Sequence, residues 1–554
     1  ILNRHAVDVF FVGQGSTQDI VLFASAYFVL ITLQAYLIYE FIYRSGKIEM
    51  AVSYETRNKS MKKLQELPFS YYDVTDSGWI MARVPSDINR LSAILSWSLV
   101  DLVWGSFMMI LLIVVMLFVN VKLALIIIVV LPFVFKVSSW FQKKMLRNYR
   151  DIRAINSQVT SSFSEGISGA KTTKTLALEE SQYKEFESLT SSMREKAMHA
   201  IFLSSLYIPS VIFLSTLSEA GILWIGSEMV LKNIIAIGTL IMFTQYAGQF
   251  FQPLRNIASI LAQLQMAQAS AERVISLLET EVELSDSPEV IEKYGTILDP
   301  KEENYKKIKG DIEFKNVDFY YNENEIILED FNLKIERNQS IALVGETGSG
   351  KSTIVNLICR FYEPRSGQIL IDGIDYKNKS IAYLRSQLGY VLQSPHLFSG
   401  SIKENIRFAK LDASEEEIIE VCKLVGAHDF IMGLEDDYDF DVGEGGDRLS
   451  SGQKQLISFA RALLVDPAII VLDEATSSID TETEAVIQFA IDSLLKDKTS
   501  IIIAHRLSTI ENVDRILLID KGKIKEDGSH EELMNKKGMY YELYTSQVED
   551  DVLK

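Results

Sequence analysis

Leu343-Val344-Gly345-Glu346-Thr347-Gly348-Ser349-Gly350-Lys351-Ser352-Thr353 is the stretch that decides how this chain is read. It fits the pattern G-x-x-x-x-G-K-[ST], in which each residue type answers a physical demand. Glycines let the backbone turn tightly and approach an anion with no Cβ in the way. The N–H groups from Gly345 through Glu346, Thr347, Gly348, Ser349 and Gly350 then form a nest, and the following helix presents its positive end. Lys351 is placed to reach β- and γ-phosphates, and the Ser352 hydroxyl to ligate Mg²⁺. An apolar run at 341–344 reads as the strand before the loop, and 353–358 as the helix after it. The stretch predicts a nucleoside triphosphate site.

Outward from this loop, apolar runs at 340–344, 469–472, 500–504 and 516–519 alternate with helical patterns. That alternation predicts an α/β domain with a largely parallel sheet. The strand Ala468-Ile469-Ile470-Val471-Leu472 runs into Asp473-Glu474 at the carboxyl edge, where ligands of open α/β sheets collect. Asp473 is placed to hold Mg²⁺ and Glu474 to polarise an attacking water. Between loop and strand, Leu449-Ser450-Ser451-Gly452-Gln453-Lys454-Gln455 opens a helix with small residues, a second anion site in kind.

The first half differs in kind. Of 554 residues 48% are hydrophobic, and mean hydropathy is +0.12. Runs at 20–43, 94–119, 123–141, 201–225 and 234–258 each reach the ~20 mostly apolar residues that a bilayer span needs. Lys59, Lys62, Lys63, Lys143, Lys144, Arg147, Arg150 and Arg153 lie in the long connections between them, which marks those connections as cytoplasmic. Five spans with a cytoplasmic C-terminal domain leave residue 1 outside, so a further span is expected ahead of it. The expected division is a membrane domain at 1–280, a polar linker at 281–309 and a nucleotide domain at 310–554. A net charge of −19 disfavours nucleic acid as partner. Cys359 and Cys422, both in the half that carries the phosphate loop, read as buried thiols rather than a disulfide.

The order phosphate loop, LSxGQ turn, Asp-Glu strand and lone histidine resembles that of ATP-binding cassette transporters. With spans ahead of it, the layout resembles a half-transporter exporter of the multidrug and lipid-flippase type (the type IV fold), over essentially the whole chain. The implied fold is a membrane α-helical bundle, its long helices extending into the cytoplasm, followed by a P-loop α/β nucleotide-binding domain. The resemblance implies that Tyr321 stacks on adenine, with Tyr320 one residue away, and that Gln393 ligates Mg²⁺ and senses the membrane domain. It implies that His505 contacts the γ-phosphate and that Ser478-Ile479-Asp480 crosses to a partner subunit. Phe69-Ser70-Tyr71-Tyr72-Asp73 resembles the first intracellular loop, and Glu165-Gly166-Ile167-Ser168-Gly169-Ala170-Lys171 the second. In this family ATP is sandwiched between the phosphate loop of one subunit and the signature turn of another, so a second half-transporter is the implied partner. Ser451 stands where that turn usually has a glycine, adding a Cβ where backbone meets phosphate. A heterodimer is on that ground favoured over a homodimer.

In the last span Gln245, Gln249, Gln252 and Asn256 fall at i, i+4, i+7 and i+11, one face of a continuous helix. The stripe reads either as lining of a translocation cavity or as hydrogen bonding inside the bundle. Pro253 predicts a kink. Asp101 and Glu219 are ionisable residues in or beside apolar runs, with Glu219 the deeper. The combined expectation is an ATP-driven, Mg²⁺-dependent exporter subunit of a bacterial plasma membrane. Its cargo would be a small molecule, lipid or peptide. The rival is a nucleotide-gated membrane regulator that does not pump.

Overall fold

A computed structural model describes residues 2–11, 16–75, 77–322, 325–473, 481–503 and 510–552. The chain divides into two compact units, one of residues 1–65 and 77–280, the other of residues 66–76 and 281–554.

The first unit is built from long helices. Helix α1 (Thr17–Glu66) is followed by α3 (Ser77–Ala93), a π-helical turn (Ile94–Ser98), α4 (Leu99–Val119) and α5 (Val121–Ser168), with the short α2 (Phe69–Val74) assigned to the second unit. Then come α6 (Ala170–Thr175), α7 (Glu179–Leu231), α8 (Ile237–Phe250) and α9 (Gln252–Glu279). Asn120 alone separates α4 from α5: extended at φ −159°, it accepts the Leu123 N–H at 3.2 Å and so caps the second helix. Met116, Leu123, Ile127, Val211, Ile222, Phe243 and Phe250 form the bundle's core. Small residues admit close approach: a Cβ on Gly105 would lie 3.0 Å from Pro253 Cβ, and one on Gly226 2.4 Å from Leu240 Cδ1. One buried carboxylate crosslinks α3 to α9, Asp87 accepting from Arg273 Nε at 2.6 Å and from Ser270 Oγ at 2.9 Å.

Four helical stretches among the described residues are long and apolar enough to cross a membrane: Thr17–Glu66, Val84–Val119, Val121–Ser168 and Glu179–Leu231. The fifth expected span, 234–258, is instead interrupted, α8 ending at Phe250 and α9 starting at Gln252. Pro253 explains the break. It has no N–H to give the Gln249 carbonyl, which takes the N–H of Phe251 instead. The proline then sits in the first turn of α9, where a missing N–H costs nothing.

Among the described residues the second unit carries three sheets, the smallest a ladder of Gly295–Thr296 with Asp299–Pro300. Its main sheet has the order β10-β9-β3-β8-β7-β6. The strands are β3 (Ser340–Val344), β6 (Leu388–Val391), β7 (Ile469–Asp473), β8 (Thr499–Ile503), β9 (Arg515–Asp520) and β10 (Lys523–Gly528). All neighbours pair in parallel except β9 and β10. The central strands are apolar on both faces because both are covered. Ala342, Val344, Ile470 and Leu472 enter one core, while the alternating Ile341, Leu343, Ile469 and Val471 enter the other. Edge strand β10 alternates half-buried with exposed residues and carries Lys523, Lys525 and Asp527, which discourages strand addition. An antiparallel sheet of β1 (Ile312–Tyr320), β2 (Ile326–Ile335), β4 (Ser366–Ile371) and β5 (Ile374–Asp375) lies over the second core in the order β2-β1-β4-β5.

Residues 281–309 are not a free linker. Val290, Tyr294 and Ile308 are buried with Ile312 and Phe314, and α10 (Pro288–Tyr294) starts on the Ser287 side chain. The polar, proline-bearing composition marks a helix start, Ser at the cap and Pro in the first turn, rather than disorder. Asp286 accepts from Arg360 Nη1 at 3.0 Å, and Arg360, 1% exposed, also donates to Glu363 Oε1 at 2.8 Å and to the Lys379 carbonyl at 2.8 Å.

Candidate functional site

The phosphate loop leaves β3 between the two strands that flank it, β9 and β8, at the carboxyl edge of the sheet. Gly345, Gly348 and Gly350 have φ of 147°, 83° and 107°. At Gly345 glycine is obligatory, since a Cβ would lie 2.1 Å from the Ile519 carbonyl oxygen of β9. Gly350 caps α11 (Lys351–Ile358), whose first residue Lys351 is buried and donates from Nζ to the carbonyls of Gly345 at 2.7 Å and Glu346 at 2.8 Å. Burial pushes the Lys351 ammonium below its usual range, with the Asp473 carboxylate pulling the other way. Ser349 Oγ is buried without a hydrogen-bond partner among the described residues. A buried hydroxyl left over in a loop whose glycines bare the backbone can donate to an anion, and the loop fits a polyphosphate.

Asp473 ends β7, and Gln393 follows two residues after β6, the strand paired with β7. With Ser352 in the first turn of α11, the oxygen donors assigned to Mg²⁺ all sit at one sheet edge, a donor set that suits a hard cation keeping several waters. Thr353 is the next residue, and its hydroxyl meets the Tyr321 hydroxyl at 3.3 Å. Asn356 Nδ2 donates to the same tyrosine oxygen at 3.3 Å, so Tyr321 stands beside the helix that starts at the phosphate loop. Tyr320 is turned to other business, its ring 5.0 Å from the Arg365 guanidinium.

The signature turn opens α12 (Ser451–Leu464) through a capping box. Ser450 Oγ accepts the Gln453 N–H at 3.3 Å, and Gln453 Oε1 accepts the Ser450 N–H at 2.9 Å. Gly452 is buried and Ser451 exposed in the first turn. Glu474, His505 and the segment 478–480 lie outside the described residues.

In the membrane unit Gln245 and Gln249 are exposed on α8, while Gln252 begins α9, so the expected single helix face is split at Phe251. The side chain of Asn256 lies outside the described ones. Gln252 lines a cavity of about 390 Å³ with Asp101, Ser98, Trp104, Ser106 and Gln263. Glu219 is half-buried, its Oε1 3.4 Å from where a Cβ on Gly248 would sit. The helix carrying this carboxylate thus meets the one carrying Gln245 and Gln249.

Sequence reasoning singled out Phe69 to Asp73 as an intracellular loop but missed the residues they pack on, Phe361 and Tyr362. Helix α2 packs within the second unit, the Phe69 ring stacked on Phe361 at 4.2 Å and Asp73 accepting from the Tyr362 hydroxyl. Phe361 and Tyr362 come three and four residues after the end of α11, a proximity that could have flagged them.

Membrane-crossing helices joined in one chain to a P-loop α/β unit define an ATP-powered membrane transporter. A family model described as "ABC transporter transmembrane region" matches residues 1–254, and one described as "ABC transporter" matches residues 328–477. The chain is 38% identical over 496 residues to the uncharacterized ABC transporter ATP-binding protein YknV of Bacillus subtilis, covering 90% of this chain and 80% of the relative. It is 34% identical over 554 residues to the putative multidrug export ATP-binding/permease protein YgaD of the same organism, covering 99% and 93%. A solved structure of a bacterial Atm1-family ABC exporter with ATP bound superposes with a TM-score of 0.80 at 25% identity, covering 99% and 95%. The chain belongs to the ABC transporter family, as an exporter half-transporter whose ATP hydrolysis is coupled to transport.

Proposed function

We propose that this subunit moves an amphipathic or peptide-like substrate out of the cytoplasm by alternating access, with ATP held between its phosphate loop and the signature turn of a second half-transporter. The observation that carries the reading is the loop itself, with its positive-φ glycines, a buried Lys351 and a buried Ser349 hydroxyl that has no hydrogen-bond partner among the described residues. One chain has one such loop and one LSxGQ turn, so a complete site draws on two chains.

Within that site Tyr321 carries the base, and the loop N–H groups from Gly345 to Thr353 hold the phosphates with Lys351. Ser352, Gln393 and Asp473 would hold Mg²⁺, which neutralises charge on the β- and γ-phosphates. Glu474 accepts the proton of the attacking water, and His505 orients on the γ-phosphate. Ser450, Ser451, Gly452 and Gln453 present their helix start to the partner's nucleotide. Most of the rate gain comes from positioning and charge stabilisation. Ligand binding drives alternating access only by favouring one conformation over the other. Glu219, Gln245, Gln249 and Gln252 are assigned to the substrate path, supported by the meeting of Glu219 with α8 and the cavity at Gln252. Ser451 in the turn supports a heterodimer over a homodimer, and the relatives' bacterial source supports a plasma membrane location with the nucleotide unit in the cytoplasm.

Native mass spectrometry of the full-length E474Q chain purified from its own membranes tests the sandwich. Retained ATP on two-subunit particles alone is the expected result, and the mass of the second subunit identifies the pairing. A lone subunit that retains and, as wild type, hydrolyses ATP at full rate would overturn it.

A further inference from the structure

After α11 the chain turns at Arg360, which has φ 51°, and presents two consecutive aromatic residues. Phe361 stacks on Phe69 of α2. Tyr362 is held on two sides. Its hydroxyl donates to Asp73 Oδ2 of α2. Its ring meets the Tyr321 ring edge-to-face at 5.0 Å and 88°, with Phe319 at 5.8 Å and 71° behind both. The Tyr321 hydroxyl is pinned by Thr353 and Asn356 of α11. One side chain therefore touches both the helix that joins two membrane-unit segments in the chain and the tyrosine assigned to the base. Burial and the Asp73 carboxylate both push the Tyr362 phenol upward, so it stays an O–H donor throughout the physiological range.

We propose that Tyr362 is a positioning residue that makes the affinity for the nucleotide base depend on the docking of residues 69–74, and the docking depend on the base. With Asp73 in place the Tyr362 ring is fixed, and an edge-to-face partner fixes the Tyr321 plane on which a base must lie. Without it the Tyr321 ring loses one wall, and base binding must order that ring at an entropic cost. By linkage the effect is reciprocal, so base binding favours the docked helix by the same factor. The route is specific to the base. A polyphosphate without one engages the nest and Lys351 but leaves Tyr321 untouched. The inference rests on the reading of Tyr321 as the base platform, and the experiment separates the two.

The full chain is placed in phosphatidylethanolamine/phosphatidylglycerol nanodiscs, and hydrogen exchange is followed in the peptide spanning 69–74. MgATP is expected to slow exchange there, while Mg-tripolyphosphate does not. Tyr362→Phe keeps the ring and loses the hydroxyl. It should abolish the MgATP protection and raise KM for ATP about 3- to 10-fold, the size of ordinary coupling, with kcat within about twofold. Asp73→Ala, on the exposed helix, should do the same, and the double variant should be no worse than either single one. Wild-type protection in Tyr362→Phe, multiplying losses in the double variant, or equal protection by tripolyphosphate would overturn the proposal. Tyr321→Ala decides the underlying reading by itself: an unchanged KM for ATP there removes the base platform whatever Tyr362 does.

Discussion

The rings of Phe69 and Phe361 stack with centroids 4.2 Å apart and planes 28° from parallel. Phe69 lies in an eleven-residue segment, 66–76, that packs with the nucleotide unit although the chain on either side of it belongs to the membrane unit. Phe361 comes three residues after the helix that starts at the phosphate loop. Under the proposed function, docking of this ring is the point at which a change at the nucleotide would have something to push on.

Phe69→Ala removes the stack. Such aromatic pairs contribute about 0.5–1.5 kcal/mol beyond the area they bury, or roughly 2- to 10-fold in a docking equilibrium. Basal ATP hydrolysis should persist while transport per ATP falls by a factor in that range, measured as the ratio of the two rates in sealed vesicles. Phe69→Leu should recover part of the loss.

Among the described residues Arg360 is the charged residue most deeply enclosed in the nucleotide unit, with Asp286, Glu363 and the Lys379 carbonyl around its guanidinium. Asp286→Ala leaves part of that charge without its partner, and breaking a buried pair in this way costs about 3–5 kcal/mol. Thermal unfolding of the nucleotide unit should shift down by several degrees. Glu329→Ala, which cuts the exposed Lys523–Glu329 pair at 3.3 Å, should change stability by less than about 1 kcal/mol.

The Asp330 N–H, at 2.8 Å, and the Ser366 hydroxyl donate to Asp318 and hold its carboxyl below the usual carboxylate range. A depressed folded pKa means stability that is complete above the unfolded value, about 3.9, and lost as pH falls through the folded one. Asp318→Asn should therefore be less stable than wild type at neutral pH, with the gap closing on acidification. Denaturation midpoints across the acid range read it directly, and a gap that widens there would reverse the sign.

Ser450 and Gln453 start α12 by bonding to each other, so Ser450→Ala should cost about 1 kcal/mol through the lost cap. Ser451 is different. It is exposed in a helical first turn and is not required by that capping box. Ser451→Gly should raise ATP turnover of the assembled pair several-fold with little change in stability, measured by steady-state hydrolysis. An unchanged rate would show that its Cβ does not obstruct the site.

The phosphate loop and the parallel sheet could be read from residues because their determinants are local: glycines at forced φ, and short strands apolar on both faces. Pro253 announced a break, but its effect falls two residues earlier, at Phe251, because the proline belongs to the first turn of the next helix. That displacement divides Gln245 and Gln249 from Gln252. The stretch 281–309 looked like a linker because its cap residues share their composition with turns. Contacts such as Asp73 with Tyr362 or Asp286 with Arg360 join residues 289 and 74 positions apart, and no periodicity records them.

Inside-out vesicles carrying the chain with its partner subunit, loaded from outside with a panel of amphipathic cations, fluorescent lipids and short peptides, test the central claim most directly. MgATP should drive accumulation of at least one class, and Lys351→Ala should abolish both accumulation and hydrolysis together. Hydrolysis that persists at the wild-type rate while no class on the panel moves would contradict the account.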